Sequence, residues 1–288
     1  MHIILLLQAK SKQNISRDKL NKYNNTIKSI AIGSFDGIHI AHKTLIDQVD
    51  ALVIIERNGG YLTPGYRRSH FTSKVCCFYH FDVIKGLTPE AFVEKLKKDF
   101  PLLETIVVGY DFHFGKNKAG NAQVLRELCD KEVIVVEEVS IEGISVHSRT
   151  IKQYLKEGNI EMANTLLGRE YSIEGDIISG QGLGKNELVA TLNLSVQSYQ
   201  LPLEGVYATR TKVDGEWLDS VSFLGHRVST DGNYAVETHI LGKDIGIVRG
   251  VAQIAFVAFM RENKKFESLD ALKQQIQDDI DSAKKILA

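Results

Sequence analysis

Ile27-Lys28-Ser29-Ile30-Ala31-Ile32-Gly33-Ser34-Phe35-Asp36-Gly37-Ile38-His39-Ile40-Ala41-His42 is the stretch from which the rest of this chain is read. Its apolar run, residues 27–32, is that of a buried strand. Glycines at 33 and 37 bracket a turn, and the histidines enter a segment whose apolar residues, Leu45, Ile46 and Val49, recur at helical spacing. Strand, glycine turn and helix start, in that order, suit a nucleotide triphosphate. Glycine lets phosphate approach the backbone, a helix start offers free N–H groups, and imidazoles donate to phosphoryl oxygens. Gly33, Phe35, Asp36 and Gly37 are therefore candidate ATP or phosphate contacts, and His39 and His42 are catalytic candidates.

On either side the alternation continues. Strands are expected at residues 3–7, 52–55, 105–108 and 132–136, and around Cys76-Cys77. Helices are expected from Ala41, at 89–99 with Thr88 as N-cap, and at 122–129, 148–157 and 160–167, the last ending in Gly168. Such a sequence implies an α/β domain, a parallel sheet with helices on its faces and ligands beyond the carboxyl ends of its strands. After Tyr171 the texture changes to short β-like runs at 172–178, 189–196, 205–213, 220–224, 234–241 and 251–260, broken by Gly and Asp. That spacing predicts an antiparallel β-barrel, closed by a helix in which Leu269, Leu272, Ile276, Ile280, Ala283 and Leu287 share a stripe and Ser268 is the N-cap. The expected fold class is α/β plus β, with domains at residues 1–169 and 170–288.

Bulk properties exclude several classes of partner. At 288 residues and a formal charge of −1, nothing steers the chain to nucleic acid or a membrane surface. Cys76, Cys77 and Cys129 are odd in number and lack metal-ligand spacing, which reads as reduced thiols of a cytoplasmic protein. The apolar start, residues 1–7, is too short for a membrane span and lacks the marks of a secretory signal, and no later stretch is long and apolar enough to span a bilayer. Oligomeric state is not fixed by the sequence.

Further segments carry chemistry. Val107-Val108-Gly109-Tyr110-Asp111-Phe112-His113-Phe114-Gly115 ends a strand in a turn that holds Asp111, Phe112 and Phe114 at the sheet edge. Val146-His147-Ser148-Arg149-Thr150-Ile151-Lys152 opens a helix, with Ser148, Arg149 and Lys152 as phosphate contacts. In the second half, Gly180, Gly182 and Gly184 form a glycine-rich turn. It is no Walker A loop, because no Ser or Thr follows Lys185 and a strand comes next. Thr191 and Asn193, two apart on that strand, present a hydroxyl and an amide oxygen to one side. They form a candidate Mg²⁺ site completed by ATP phosphates. In Val236-Glu237-Thr238-His239 an acid and a histidine share a strand face, and Glu237 is the candidate general base for a hydroxyl nucleophile.

Residues 33–42 resemble the HxGH signature of the nucleotidyltransferase superfamily, in the version found in bacterial bifunctional flavokinase/FAD synthetases, with Ser34 in an Asn slot and Ala41 in a Gly slot. Residues 107–115 resemble that family's VGxDFxFG element, and 146–152 its SSTRIR element with Arg149-Thr150 in inverted order. Residues 188–193 are similar to the riboflavin kinase motif GxPTAN, keeping Thr191 and Asn193. Glu237 stands in a VExH strand, Leu201-Pro202-Leu203-Glu204-Gly205-Val206-Tyr207 matches LPxxGVY, and residues 265–276 resemble KFxSLxxLxxQI. The resemblance implies a Rossmann-like nucleotidyltransferase domain and a riboflavin kinase barrel. Riboflavin and ATP would give FMN in the barrel; FMN and a second ATP would give FAD and pyrophosphate in the first domain, where residues 107–115 help form the nucleotide and flavin site. Two other readings stand beside it: a riboflavin kinase whose adenylylating domain is weakened by the Ala41 and Ser148-to-Lys152 departures, and a flavin-binding regulator without turnover.

Overall fold

The structure, a computed structural model, describes residues 4–6, 26–57, 60–179, 189–229 and 232–288. The chain divides into two compact units, Met1–Ser148 and Arg149–Ala288.

In the first unit, six parallel strands form one sheet. Their order is β1 (Ile4–Leu6), β4 (Val75–His80), β3 (Ala51–Glu56), β2 (Ser29–Gly33), β5 (Thr105–Gly109) and β8 (Glu132–Val136). Side chains alternate between two cores. Ile30, Ile32, Val53, Ile106 and Val108 pack on one face with Phe92 and Leu96 of α3 (Pro89–Asp99). Ala31, Leu52, Ile54 and Val107 pack on the other with Leu45 and Ile46 of α1 (Ile40–Ile46). With both faces covered, almost every strand position is apolar, as buried parallel strands require. Cys76 and Cys77 of β4 are free, buried and assigned to opposite cores in the same way.

The chain leaves β2 to one side through β3 and β4, then returns on the other through β5 and β8, so the carboxyl ends of β2 and β5 mark the point where the winding reverses. Ligands of open α/β sheets sit in such a crevice.

Local chemistry fixes the helices. Thr88 Oγ1 accepts from the Ala91 N–H to start α3, and Asn121 does the same for Val124 at α4 (Ala122–Leu128), after the short α2 (Phe81–Ile84). α5 is Ser148–Lys156, and α6 (Ile160–Leu167) ends where Gly168 turns left-handed at φ 70. α1 stops three residues before Val49, which is buried from a turn, so the apolar stripe outlasts the helix. Two small hairpins, β6 (His113–Phe114) with β7 (Gly120–Asn121) and β9 (Ser140–Ile141) with β10 (Ile144–Ser145), and the 3-10 turn Gly65–Phe71 have no counterpart in the expected alternation.

The second unit is a closed antiparallel barrel. Its order is β11 (Tyr171–Ile178), β12 (Leu192–Val196), β15 (Tyr234–Ile240), β14 (Glu216–His226), β13 (Gly205–Val213) and β16 (Val251–Glu262). β14 is longer than expected because it follows β13 along its whole length, from Val213↔Glu216 to Gly205↔Leu224. At Gly205 any Cβ would run into the Arg261 carbonyl, so only glycine fits. α6 is fastened to the barrel by Asn164, whose amide donates to Phe256 O at 2.9 Å and accepts from Tyr171 N–H at 2.7 Å. α7 (Leu269–Leu287), capped by Ser268, buries Ile280 and Ala283 and receives Arg261 on Asp279, Nη2 to Oδ2 2.6 Å. Among the described residues, no helix is long and apolar enough to cross a membrane.

Candidate active sites

Beyond Gly33 the backbone turns through positive φ at Phe35 (48°), Gly37 (91°) and Ile38 (43°). For Gly37 this is free; for β-branched Ile38 it is strained by roughly 1–3 kcal/mol. Burial holds it there, since Phe35 and Ile38 are both 0% exposed within the core beside α1. Strain maintained by packing is a mark of functional turns.

This turn also corrects two expectations. Phe35 and Asp36 are buried beneath it: the ring lies in the core, and Asp36 Oδ1 accepts from the Thr63 N–H at 3.1 Å. They shape the turn where direct ATP contact was expected. Ser148 Oγ donates to the Asp36 carbonyl at 2.7 Å, bringing the start of α5 onto the same turn.

His39 is the N-cap of α1. Its Nδ1 accepts from the His42 N–H at 3.3 Å, so the neutral ring carries its proton on Nε2. The two imidazoles stack with centroids 3.5 Å apart, and the Phe35 ring meets His42 edge-on at 5.2 Å. The expected pair is thus assembled at the winding reversal of the sheet.

At the carboxyl end of β5, Asp111 is exposed and Phe112 half-buried. Phe114, expected at the flavin, is in the core against Phe92 at 5.4 Å, and Phe112 stacks on it at 5.5 Å. Tyr110 donates to Glu138 Oε1 at 2.8 Å and lies 3.1 Å from His147 Nε2, a cluster that no spacing pattern announces. The Glu138 bond holds the Tyr110 phenol above its usual range; the Ser145 hydroxyl, then Tyr110, hold the Glu138 carboxyl below its own. Also unforeseen is Arg68, fully buried. Its Nη1 meets Oε1 of Glu56, the last residue of β3, at 3.2 Å, and its guanidinium lies 4.6 Å over the Tyr61 ring. Arg149, exposed, and Lys152, half-buried, are one turn apart on α5 and belong to the second unit.

In the barrel, Asn193 of β12 stands directly opposite Glu237 of β15, and Leu192 opposite Thr238. Directly paired residues share a sheet face, and so do Glu237 and His239, two apart. Val236, Thr238 and Ile240 alternate with them and are buried, so Glu237, His239 and Asn193 lie on the outer face of the barrel wall. Arg227 Nε is 3.2 Å from Glu237 Oε1, within ion-pair distance. His239 Nδ1 donates to the Ala190 carbonyl at 2.7 Å, tethering the segment that leads into β12. That segment corrects a third expectation. The strand begins at Leu192, so Thr191 is exposed just before it. Gly180, Gly182 and Gly184 lie outside the described residues.

Among the described residues, no three His, Cys, Asp or Glu side chains converge to hold a metal. The donors available are hard oxygens, the buried Asn193 amide and the Thr191 hydroxyl beside one carboxylate. That set fits Mg²⁺, which keeps phosphate and water ligands and needs no protein cage.

Comparison with known proteins divides the chain the same way. A riboflavin kinase family matches residues 167–287 and an FAD synthetase family residues 69–150. The chain is 27% identical over 286 residues to the bifunctional riboflavin kinase/FMN adenylyltransferase of Pseudomonas fluorescens, covering 89% of this chain and 92% of that one. It is 29% identical over 276 residues to the protein of the same name from Mycoplasma pneumoniae, covering 91% and 98%. The fold is that of a crystal structure of a macrolide-efflux protein from Streptococcus pneumoniae, with a TM-score of 0.80 and 22% identity over 98% of this chain and 99% of the other.

Proposed function

Because this chain belongs to the family of bifunctional riboflavin kinases/FMN adenylyltransferases, we propose that residues 170–288 phosphorylate riboflavin and residues 1–169 adenylylate the product. In the first step the riboflavin hydroxyl attacks the γ-phosphorus of ATP, giving FMN and ADP. In the second an FMN phosphate oxygen attacks the α-phosphorus of another ATP, giving FAD and pyrophosphate.

In the barrel, Glu237 takes the proton of the attacking hydroxyl, with Arg227 at ion-pair distance from its carboxylate. Asn193 and Thr191 would hold Mg²⁺, with His239 tethering that segment through the Ala190 carbonyl. When bound, Mg²⁺ neutralises and positions the phosphates. In the first unit, catalysis is positioning and charge stabilisation, with little covalent work for the protein. His39 and His42 donate to triphosphate oxygens, while Ser148 and the buried Asp36 hold their turn in shape. Asp111 and Phe112 border the flavin.

One observation carries the reading: each unit holds its own constellation, the stacked His39–His42 pair in one and the Asn193–Glu237 cross-strand pair in the other. Ala41, a methyl between the histidines where the signature has glycine, favours a second reading in which only the kinase turns over. Incubation of the purified chain with riboflavin, ATP and Mg²⁺, followed by chromatography of the flavins, separates them. FAD supports two activities, FMN alone the kinase reading, and unchanged riboflavin overturns both.

A further inference from the structure

Behind Glu237, on the inner side of the barrel wall, five hydroxyls close a ring. Thr209 Oγ1 lies 2.8 Å from Ser220 Oγ and 2.8 Å from Ser222 Oγ. Ser220 Oγ lies 2.8 Å from Thr211 Oγ1, which is 2.9 Å from Thr238 Oγ1. Ser222 Oγ donates to Thr238 Oγ1 at 2.9 Å and completes the circuit. All five residues are 0–1% exposed. A hydroxyl has one proton to give, so a ring of five with one donation each leaves every member giving once and receiving once. The Ser222 to Thr238 donation sets the direction: Thr238 gives to Thr211, Thr211 to Ser220, Ser220 to Thr209, and Thr209 shares its proton between Ser222 Oγ and the Ser220 carbonyl at 3.2 Å.

The ring spans three strands, β13, β14 and β15, and reaches β15 through Thr238 alone, the residue between Glu237 and His239. Neighbours on a strand face opposite ways, so the ring grips β15 from inside while Glu237 and His239 face outward. On its other side β15 meets β12 through two registered pairs, Leu192↔Thr238 and Asn193↔Glu237. The strand that carries the base is thus held firmly to β14 and briefly to β12, and an apolar residue in place of Thr238 would leave directional control to packing alone.

We propose that this hydroxyl ring is the positioning device of the phosphoryl-transfer site, with Thr238 the residue that sets Glu237 opposite Asn193. The inference rests on the reading of Glu237 as general base and Asn193 as metal ligand. Thr238 touches neither substrate nor metal; it acts through the backbone it shares with Glu237.

The test uses the full chain and measures riboflavin phosphorylation at saturating and limiting substrate. Thr238→Val keeps the shape and removes the hydroxyl. It is expected to lower kcat about tenfold with KM for riboflavin and ATP unchanged, because a misplaced base affects the reaction step more than binding. Thr238→Ser, which keeps the hydroxyl, restores kcat. Thr209→Val opens the same ring two strands away and lowers kcat in like manner, and the double variant loses no more than either single one, since a ring is opened only once. If Thr238→Val does not fold, Ser222→Ala replaces it in both the single and the double comparison. An unchanged kcat, a change in melting temperature alone, or additive losses in the double variant overturn the inference. Glu237→Gln, assayed alongside, keeps the underlying reading separate: if it still forms FMN at the parent rate, the site assignment fails; if it is inactive while Thr238→Val is fully active, only the ring inference fails.

Discussion

The imidazoles of His39 and His42 lie face to face, 3.5 Å between centroids and 17° between planes, with the His39 Nδ1 occupied by the His42 backbone N–H. His39 caps α1 and, on the proposed reading, also donates to the triphosphate, and substitutions can separate the two roles. His39→Asn keeps an N-cap acceptor; His39→Ala loses it at about 1 kcal/mol of stability. Both are expected to slow FMN-to-FAD conversion, as is His42→Ala, by roughly 10²–10³, the size of a lost transition-state donor. Riboflavin phosphorylation stays at the parent rate. Flavin chromatography and a thermal melt on each variant check this, and full FAD formation by the double alanine variant would end the assignment.

Glu237→Gln is expected to lower FMN formation by roughly 10²–10⁴, the usual contribution of a general base, and to leave FMN-to-FAD conversion intact. Arg227→Met removes the ion-pair partner of the carboxylate and should give a smaller loss in kcat. Assays started from riboflavin and from FMN distinguish the steps. Loss of both in Glu237→Gln would count against separate sites.

Arg68 is wholly buried and bonded to Glu56, so replacing it by alanine removes the charge partner of a partly buried carboxylate, which keeps its bond from the Gly65 N–H. Breaking one partner of such a pair costs on the order of 3–5 kcal/mol. The variant is expected to melt earlier in the first unit while riboflavin phosphorylation continues at low temperature. A Glu56→Gln, Arg68→Met double variant should recover much of the loss in a urea titration.

Burial pushes the Cys76 thiol up to about 12, against a smaller pull downward from Arg68, and pushes Cys77 up as well. In the unfolded chain these thiols ionise near their ordinary value of 9.0, so above that pH the native state binds more protons. Their stabilising contribution is complete below about 9 and is lost as pH rises toward about 12, at about 1.4 kcal/mol per pH unit for each thiol. Urea titrations at neutral and alkaline pH should show the fall, reduced in Cys76→Ala. A thiol reagent should label neither residue of the native chain at neutral pH, and rapid labelling without denaturant would contradict their burial.

What was legible in the sequence was local. Pro89–Asp99, Glu132–Val136, Ile160–Leu167 and Gly205–Val213 lie where periodicity and capping residues put them, because a helix stripe or a strand run is written in consecutive residues. Partners across the fold were not. Arg227 reaches Glu237, Tyr110 reaches His147 and Arg68 reaches Glu56 only because strand ends and loops converge, and no spacing rule connects them. Phe35 and Phe114 were placed at ligands because aromatic rings beside glycines fit both a stacking platform and a core; burial decides for the core. Thr191 was taken into the strand because alternation continues through it, whereas the ladder to β15 starts one residue later at Leu192. No spacing rule joins Thr209, Thr211, Ser220, Ser222 and Thr238, and only barrel closure turns all five inward.

The Ser148 hydroxyl fastens Asp36 from 112 residues away. A nascent chain therefore carries the histidine turn long before it can lock it. Domains fold in turn as they leave the ribosome, and closing so long a loop adds little once both ends are present. The first unit gains its last fastening as residue 148 emerges, before any barrel strand has been made.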